Sequence, residues 1–216
     1  MKRIYLVRHG ESEANVARIH GFGDSPLTST GRAQAAYVAA RVATLPIDTI
    51  VSSSMTRARE TAEAMAAKTG LPFLTSDLFV ECMGPTEIMG KSYTDPEAVA
   101  AIAMVDGNFG PGYRFNNEEN FDDLKERAQK ALAYLAGLEG SHIAVATHGL
   151  FLRVLLAAAV FGTEMNAREC YQCMWGFETQ NTGITILEYV AEDYTGSTRK
   201  NPWRVWVYND HAHLAD

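Results

Sequence analysis

The feature that most constrains the fold is a unit of a short apolar strand, a loop and a helix, which occurs three times along the chain. Strands and helices that alternate in this way pack as a parallel sheet covered by helices on both faces. The sequence therefore predicts an α/β fold, a three-layer sandwich with a mostly parallel central sheet flanked by helices. The strands lie at residues 3–7, 49–53 and 142–147, and the helices that follow them lie at residues 28–45, 53–70 and 148–161.

Local signals mark the ends of these helices. Pro46 ends the first helix because proline lacks the N–H that a helix interior needs. Ser53 or Ser54 is expected to cap the second helix with its hydroxyl, and Gly70 ends that helix. Further patterns predict an extended segment at residues 71–79, an amphipathic helix at 120–138 and a β-hairpin of residues 182–189 and 204–208 with its turn region at 191–202.

A glycine- and proline-rich stretch at about residues 82–119 interrupts the pattern of strands and helices. It contains one short alanine-rich helical patch near residues 96–105. Insertions of this length in a compact domain usually form functional loops or lids. We therefore expect a single domain over residues 1–216, with this stretch, here named the cap segment, as an insertion that covers a site.

Length, charge and cysteine content exclude several classes of protein. The formal net charge of −7 argues against nucleic acid or a membrane as partner, because binding to phosphate backbones needs clustered Lys and Arg. The apolar run at residues 143–162 contains His148 and Arg153, so a strand and a helix explain it better than a membrane span. Residues 1–9 carry too short an apolar run for a secretion signal, and three cysteines are too few for a disulfide scaffold. A cytoplasmic protein is expected.

Three strand ends bring histidines and arginines together in the predicted sheet. Arg8 and His9 follow the first strand, Arg57 lies just beyond the second, and His148 follows the third. Ligands of open α/β sheets bind at the carboxyl ends of the strands. A lone histidine is more often a structural residue than a catalyst, but two histidines that are each followed by glycine and accompanied by arginines indicate a site.

The segment Leu-Val-Arg-His-Gly-Glu-Ser-Glu-Ala-Asn at residues 6–15 resembles the signature of the histidine phosphatase superfamily, also called the phosphoglycerate mutase-like family. Three further segments resemble the same family and occur in its order. With the Asn-Thr-Gly at 181–183 and the ending at 209–214, the resemblance covers nearly the whole chain except the cap segment. These three segments lie at residues 24–35, 52–62 and 144–149.

The resemblance implies that His9 is a nucleophile that accepts a phosphoryl group and forms a covalent phosphohistidine. A neutral imidazole is needed for this attack, and the guanidiniums of Arg8 and Arg57 should lower the pKa of His9 by repulsion while they bind the phosphate. The same resemblance implies that His148 donates a hydrogen bond to an oxygen of the transferring phosphoryl group. Asn15 and Gly149 are implied as further phosphate contacts, and His20 and Gly21 are candidates for substrate contact.

Hydrolysis of an alkyl phosphate also needs an acid, because an unprotonated alkoxide is a poor leaving group. The family supplies a carboxyl group between the second strand–helix unit and the last histidine, and Glu81 matches that position best. Glu87 is the alternative, since the spacing from the acid to the following glycines differs from the usual one.

The resulting prediction is a phosphomonoester hydrolase that acts on a small phosphorylated metabolite without a metal or another cofactor. A phosphoglycerate mutase and a non-catalytic module that binds phosphorylated protein are the alternatives, and a homodimer is left open. The stretch after Glu81 lacks the recognisable Tyr-Gly and Gly-Leu-Asn-Lys elements of the mutases, which favours the hydrolase. Cys170 and Cys173 form a C-x-x-C pair, but with no second pair to complete a zinc site they are expected to be structural thiols.

Overall fold

The computed structural model of the protein describes residues 1–21, 25–191 and 201–214. Its centre is one six-stranded sheet in the order β3-β2-β4-β1-β5-β6. The first four strands along the chain pair in parallel, β5 pairs antiparallel with β1, and β6 pairs antiparallel with β5. The strands are β1 Lys2–Arg8, β2 Thr49–Ser52, β3 Phe73–Thr75, β4 His142–Thr147, β5 Ile184–Tyr189 and β6 Trp203–Asp210.

Helices cover both faces of this sheet. They are α1 Glu13–Ala17, α2 Ser29–Val42, α3 Thr56–Thr69, α4 Pro96–Gly107, α5 Phe121–Gly137, α6 Gly149–Phe161 and α7 Ala167–Gly176. Along β1, Ile4 and Leu6 belong to the core under α5, α6 and α7, whereas Tyr5 and Val7 belong to the core under α2 and α3. Alternate side chains of a strand point to opposite faces, so one apolar strand supplies both cores. The predicted α/β sandwich is confirmed.

Most predicted elements form near the expected residues. The hairpin of β5 and β6 is present, and the turn predicted between them includes residues 192–200, which lie outside the described residues. The apolar run at residues 143–162 folds as most of β4 followed by α6, and no helix among the described residues has the length and apolarity to cross a membrane. Two helices, α1 and α7, were not anticipated.

Two predicted boundaries are wrong. The helix predicted at residues 28–45 is α2, which ends at Val42. Residues 43–46 form turns, and Pro46 is the last of them. The expected serine cap of α3 is also wrong, because Met55 occupies the N-cap position without a side-chain hydrogen bond. The Ser53 hydroxyl accepts a hydrogen bond from the N–H of Met55 at 3.2 Å, but it also faces a histidine of the site described below.

The cap segment contains α4 and a short 3-10 turn at Thr86–Ile88. It is attached to the loop after α1 by a small antiparallel pairing. Ile19 bridges Ser92, and the N–H of Tyr93 donates to the carbonyl of Arg18 at 2.9 Å. This pairing places Tyr93 on the side of the molecule where the parallel strands end.

The carboxyl ends of three adjacent strands meet at one edge of the sheet. Arg8 at the end of β1 is in register with Thr147 at the end of β4, and Ser52 at the end of β2 pairs with Ala146. The residues that come next in the chain are His9, His148 and Ser53. Parallel pairing therefore brings these three side chains together.

Candidate active site

His9 is buried, with 2% of its surface exposed, and both ring nitrogens have partners. Nδ1 lies 2.7 Å from the carbonyl oxygen of Gly10, and Nε2 lies 3.1 Å from Nε of Arg57. A carbonyl can only accept a hydrogen bond and a guanidinium can only donate one. The proton of the neutral ring is therefore on Nδ1, and the lone pair of Nε2 points towards Arg57.

The backbone of His9 is held from two sides. Its N–H donates to the carbonyl of Thr147 at 2.9 Å, and its carbonyl accepts from Nδ2 of Asn181 at 2.9 Å. Burial lowers the pKa of His9 well below its ordinary value, and the charges of Arg57 and Arg8 lower it further. The hydrogen bond to Gly10 acts in the opposite direction. The imidazole is therefore neutral at ordinary pH, which is the state that a nucleophile requires.

His148 lies beside His9, with 5.0 Å between the two ring centroids. It is fully buried at the N-cap position of α6, and its Nε2 is 2.9 Å from the hydroxyl of Ser53. Burial, Arg57 and His9 lower the pKa of His148 well below its ordinary value. Among the described residues its Nδ1 has no hydrogen-bond partner, although it is buried.

Two guanidiniums flank this pair of histidines. Arg57, in the first turn of α3, is 7% exposed, and Arg8 donates to the carbonyl of Thr179. Burial lowers the pKa of both arginines, and the charge of Glu81 acts against that shift in both. The two arginines give the buried edge of the sheet a positive potential suited to an anion.

Gly149 permits the close approach of Arg8. A Cβ at position 149 would lie 3.1 Å from Nε of Arg8 and 3.1 Å from the hydroxyl of Thr179. Contacts this short would force one of the two side chains to move. Glycine at the first residue of α6 therefore keeps Arg8 in place.

Glu81 contacts the first turn of α6. Its Oε1 accepts from the N–H of Phe151 at 2.8 Å and of Cys82 at 3.0 Å, and its Oε2 accepts from the N–H of Leu150 at 3.2 Å. Its charge acts on Arg8 and Arg57, so the carboxylate belongs to the site. Glu87, in contrast, is exposed and accepts a hydrogen bond from the side-chain amide of Asn116.

Asn15, His20 and Gly21 lie around α1. The Oδ1 of Asn15 accepts from the N–H of Ser12 at 3.1 Å in a capping box, which fixes the side chain at the start of that helix. His20 packs edge-on against Tyr93 with 4.8 Å between ring centroids, and burial lowers its pKa. A Cβ at Gly21 would lie 2.8 Å from the Cβ of Ala14. His20 is thus linked to the site through Tyr93.

Several residues that shape the site were not predicted. Tyr93 stands near both guanidiniums, since its charge would raise the pKa of Arg8 and of Arg57, yet it lies in the cap segment with no motif around it. Ser53 could have been found from its place directly after β2, where the sequence pattern predicts a helix cap instead. Thr179 precedes the Asn-Thr-Gly segment that carries part of the family resemblance.

The sequence predicts that Cys170 and Cys173 are structural thiols. Cys170 and Cys173 lie buried on α7 as free thiols, and burial raises the pKa of Cys170 to about 12, with a smaller contribution from Cys173. Thiols of this kind remain protonated and pack like small apolar side chains. Within residues 1–21, 25–191 and 201–214, no three His, Cys, Asp or Glu side chains are grouped so as to hold a metal ion.

A six-stranded sheet with two buried histidines and two arginines at one edge is the architecture of an α/β enzyme. The chain belongs to the histidine phosphatase superfamily, since the model of branch 1 of that superfamily matches residues 4–201. It is 39% identical over 218 residues to a protein of Photorhabdus laumondii named probable phosphoglycerate mutase GpmB, with 99% of this chain and 95% of the relative covered. The protein of the same name from Proteus mirabilis is 34% identical, and the match covers 100% of this chain and 96% of that protein.

Solved structures share the fold over almost the whole chain. Bacillus stearothermophilus YhfR has a TM-score of 0.79 at 27% identity and covers 99% of this chain and 100% of its own. A mycobacterial glucosyl-3-phosphoglycerate phosphatase has a TM-score of 0.77 at 21% identity and covers 97% and 99%. At 21% identity, the likeness to the mycobacterial phosphatase concerns the fold alone.

Proposed function

We propose that this protein is a phosphomonoester hydrolase that uses His9 as a covalent nucleophile. The observation that carries the proposal is the state of the His9 ring. Its Nδ1 is bonded to the Gly10 carbonyl and its Nε2 lone pair faces Arg57, a group that binds phosphate well. A phosphoryl group that takes over this N–H of Arg57 would lie next to the lone pair of Nε2, which is then free to attack phosphorus.

The reaction then has two steps. In the first, Nε2 of His9 attacks phosphorus, the bond from phosphorus to the ester oxygen breaks, and Glu81 gives that oxygen a proton. In the second, water attacks phosphorus, the P–Nε2 bond breaks, and Glu81 takes a proton from the water, so that phosphate leaves and both residues are restored. Arg8, Arg57 and His148 stabilise the charge on the transferring oxygens in both steps.

The cap segment supports a substrate with a single phosphate. It contains two cations, Lys91 and Arg114. Lys91 is paired with Glu97, and Arg114 is paired with Asp123 at 2.7 Å. Neither is therefore a ready partner for a second phosphate group, and a small phosphorylated metabolite is the substrate class that we propose, with the cap segment as the lid that selects it.

A mutase is the second candidate, because the relatives at 39% and 34% identity are named probable phosphoglycerate mutases. A mutase returns the phosphoryl group to another oxygen of the substrate, whereas a hydrolase gives it to water. Incubation with 3-phosphoglycerate and with a panel of other phosphomonoesters separates the two. Release of inorganic phosphate is expected, and interconversion of phosphoglycerates without such release would establish the mutase. Binding of the esters without either reaction would establish a non-catalytic module.

The covalent step has its own test. Rapid quenching with 32P-labelled substrate is expected to trap an adduct that is labile in acid and stable in alkali, and His9→Ala should lack it. His211→Ala is the matched control, because His211 is exposed at the far end of the chain. Label retained at the wild-type level in His9→Ala would overturn the mechanism.

The proposal includes independence of metal ions and a cytoplasmic location. The charge of the phosphate is matched by the guanidiniums of Arg8 and Arg57, and His148 adds a neutral hydrogen-bond donor, so turnover should be unchanged after treatment with EDTA. A strict requirement for a divalent cation would contradict this part of the proposal.

The three free cysteines fit a reducing compartment such as the cytoplasm.

A further inference from the structure

We infer that Arg127, together with Glu119, is a positioning residue that holds the carboxylate of Glu81 against the first turn of α6. The effect of this positioning on catalysis rests on the proposed function, in which Glu81 gives a proton to the leaving oxygen. The placement of Glu81 itself can be measured without any turnover. Neither Arg127 nor Glu119 carries a motif signal in the sequence.

Arg127 lies on α5, and its side chain is 13% exposed. Its Nη1 donates to the carbonyl of Val80 at 2.8 Å and to the carbonyl of Leu78 at 3.3 Å. These carbonyls belong to the residues just before Glu81. One guanidinium nitrogen therefore fixes the backbone that leads into the proposed acid.

The same guanidinium holds the other partner of Glu81. Its central carbon lies 3.7 Å from the ring centroid of Phe151, in cation–π geometry. The N–H of Phe151 is the donor of the 2.8 Å bond to Oε1 of Glu81. Arg127 thus touches both the chain that carries the carboxylate and the helix residue that the carboxylate binds.

Glu119 completes this arrangement on the far side of Glu81. Its two carboxylate oxygens accept from Nε and Nη2 of Arg127 at 2.6 and 2.7 Å, a bidentate pair. The N–H of Met83 donates to Oε2 of Glu119 at 3.0 Å, and the N–H of Glu119 donates to the carbonyl of Met83 at 2.8 Å. Glu81 is therefore held from the residues before it and from a residue two positions after it.

A part-buried ion pair of this kind gives little net stability over well-packed apolar residues. What apolar residues cannot reproduce is the planar fork, which reaches two carbonyls, a carboxylate and a ring face at once. Lysine keeps the charge of arginine but has a single nitrogen. Arg127→Lys therefore removes the positioning and preserves the charge.

The first experiment follows backbone amides by NMR hydrogen exchange. In Arg127→Lys the amides of Leu150 and Phe151, which donate to Glu81, are expected to exchange about tenfold faster, the scale of one lost hydrogen bond to a charged group. Lys130→Gln, which breaks an exposed ion pair with Glu126 on the same helix, is the matched control. Unchanged exchange at both amides in Arg127→Lys would overturn the inference, whatever the protein does to phosphate esters.

The second experiment compares an alkyl phosphate with p-nitrophenyl phosphate, whose leaving group departs without a proton. Arg127→Lys should slow the alkyl ester by roughly 10², the cost of a misplaced catalytic group, and the nitrophenyl ester much less. In a Glu81→Gln background the substitution should cause no further selective loss, because the carboxyl that it positions is gone. Equal losses on both esters, or full additivity with Glu81→Gln, would overturn the positioning role.

Glu119→Gln provides a second variant if Arg127→Lys folds poorly. It keeps the shape of the side chain but presents an NH2 group to either the guanidinium or the N–H of Met83, and the same selective loss is expected. Wild-type protein that hydrolyses neither ester would refute the proposed phosphatase and not the positioning, which the exchange of the Phe151 amide still decides.

Discussion

At the scale of single residues, one group of charges performs two tasks. Arg57 and Arg8 lower the pKa of His9, after burial, which is the largest cause. The same two guanidiniums provide the positive potential for a phosphate. In the proposed mechanism the charge of the bound anion offsets theirs, so His9 stays neutral while the site is empty and the site can still receive a doubly charged group.

The contribution of Arg57 to the pKa of His9 can be measured directly. In Arg57→Gln the pKa of His9 should rise, because a positive charge 3.1 Å from Nε2 is lost. It should remain below the ordinary value of 6.5, because burial persists. Titration of the 15N-labelled imidazole by NMR measures the shift, and Arg59→Gln, which removes an exposed arginine two residues away, is the control. An unchanged pKa of His9 in Arg57→Gln would show that burial and Arg8 keep the ring neutral without Arg57.

The two candidate acids have different surroundings. Glu81 lies near the two site arginines, whereas Glu87 is exposed and bonded to Asn116. Glu81→Gln should slow alkyl phosphates by roughly 10²–10⁴ and p-nitrophenyl phosphate much less, since a nitrophenolate needs no proton. Steady-state rates on both esters, with Glu87→Gln as the control, check this expectation.

The outcomes assign the role clearly. A substrate-selective loss in Glu87→Gln and none in Glu81→Gln would transfer the acid to Glu87. Equal losses on both esters in Glu81→Gln would point to a structural role, and the structure offers one, because Glu81 accepts three backbone N–H bonds. Glutamine has one acceptor oxygen in place of two, so rates should be measured well below the melting temperature of the variant.

At the scale of elements, several residues of the candidate site meet at the start of α6. His148 occupies the N-cap position but caps no N–H with its side chain. Glu81, from a distant part of the chain, supplies the acceptors for Leu150 and Phe151 instead. Its oxygens thus satisfy backbone N–H groups that have no partner within the first turn of a helix. The histidine is thereby free to face Ser53 and His9.

Gly149 at the start of α6 permits a prediction that separates stability from binding. Gly149→Ala should weaken the affinity for inorganic phosphate, because the added methyl lies 3.1 Å from Nε of Arg8 and displaces its guanidinium. The stability should change by less than about 1 kcal/mol, because alanine in a helix offsets part of the crowding. Calorimetric titration with phosphate and urea unfolding measure the two quantities.

The control for this variant is Gly137→Ala on α5, where an added methyl meets nothing within 4 Å among the described residues. It should leave the affinity for phosphate unchanged. Wild-type affinity in Gly149→Ala would show that Arg8 has room to shift, and that the glycine is not needed for phosphate binding.

The elements that sequence predicted well are those with a long periodic pattern. β1, β4, α5 and α6 carry enough apolar residues to fix their type. The five residues of α1 are fewer than two turns, so no periodicity can mark them. The serine cap of α3 was wrong because hydroxyls near a strand end can serve a neighbouring histidine as well as a helix, and sequence alone does not separate the two uses.

At the scale of the whole molecule, the site could be predicted as far as it depends on parallel pairing. The ends of β1, β2 and β4 bring His9, His148 and Ser53 to one edge without any knowledge of side-chain packing. Arg127 and Tyr93 could not be predicted. They reach the site from α5 and from the cap segment, and such contacts depend on how distant elements pack rather than on a local pattern.

Burial of neutral histidines also gives the folded protein a pH-dependent stability. The pKa values of His9 and His148 are lowered well below 6.5 in the folded state, mainly by burial. Below pH 6.5 the unfolded chain therefore binds protons that the folded protein does not, and the free energy of unfolding falls as the pH is lowered. Above pH 6.5 both states hold these rings neutral and the effect vanishes.

The expected loss is about 1.4 kcal/mol for each of the two histidines between pH 7.5 and 5.5, a range in which most carboxyl groups stay charged. Urea unfolding at the two pH values measures it. His148→Gln should remove the contribution of His148, so the free energy of unfolding should fall less between the two pH values. His211→Ala removes an exposed ring and should leave the pH dependence as in the wild type. A pH dependence that persists in full in both His148→Gln and His9→Asn would mean that the two rings accept protons in the folded state, and the neutral nucleophile would then be lost at mildly acid pH.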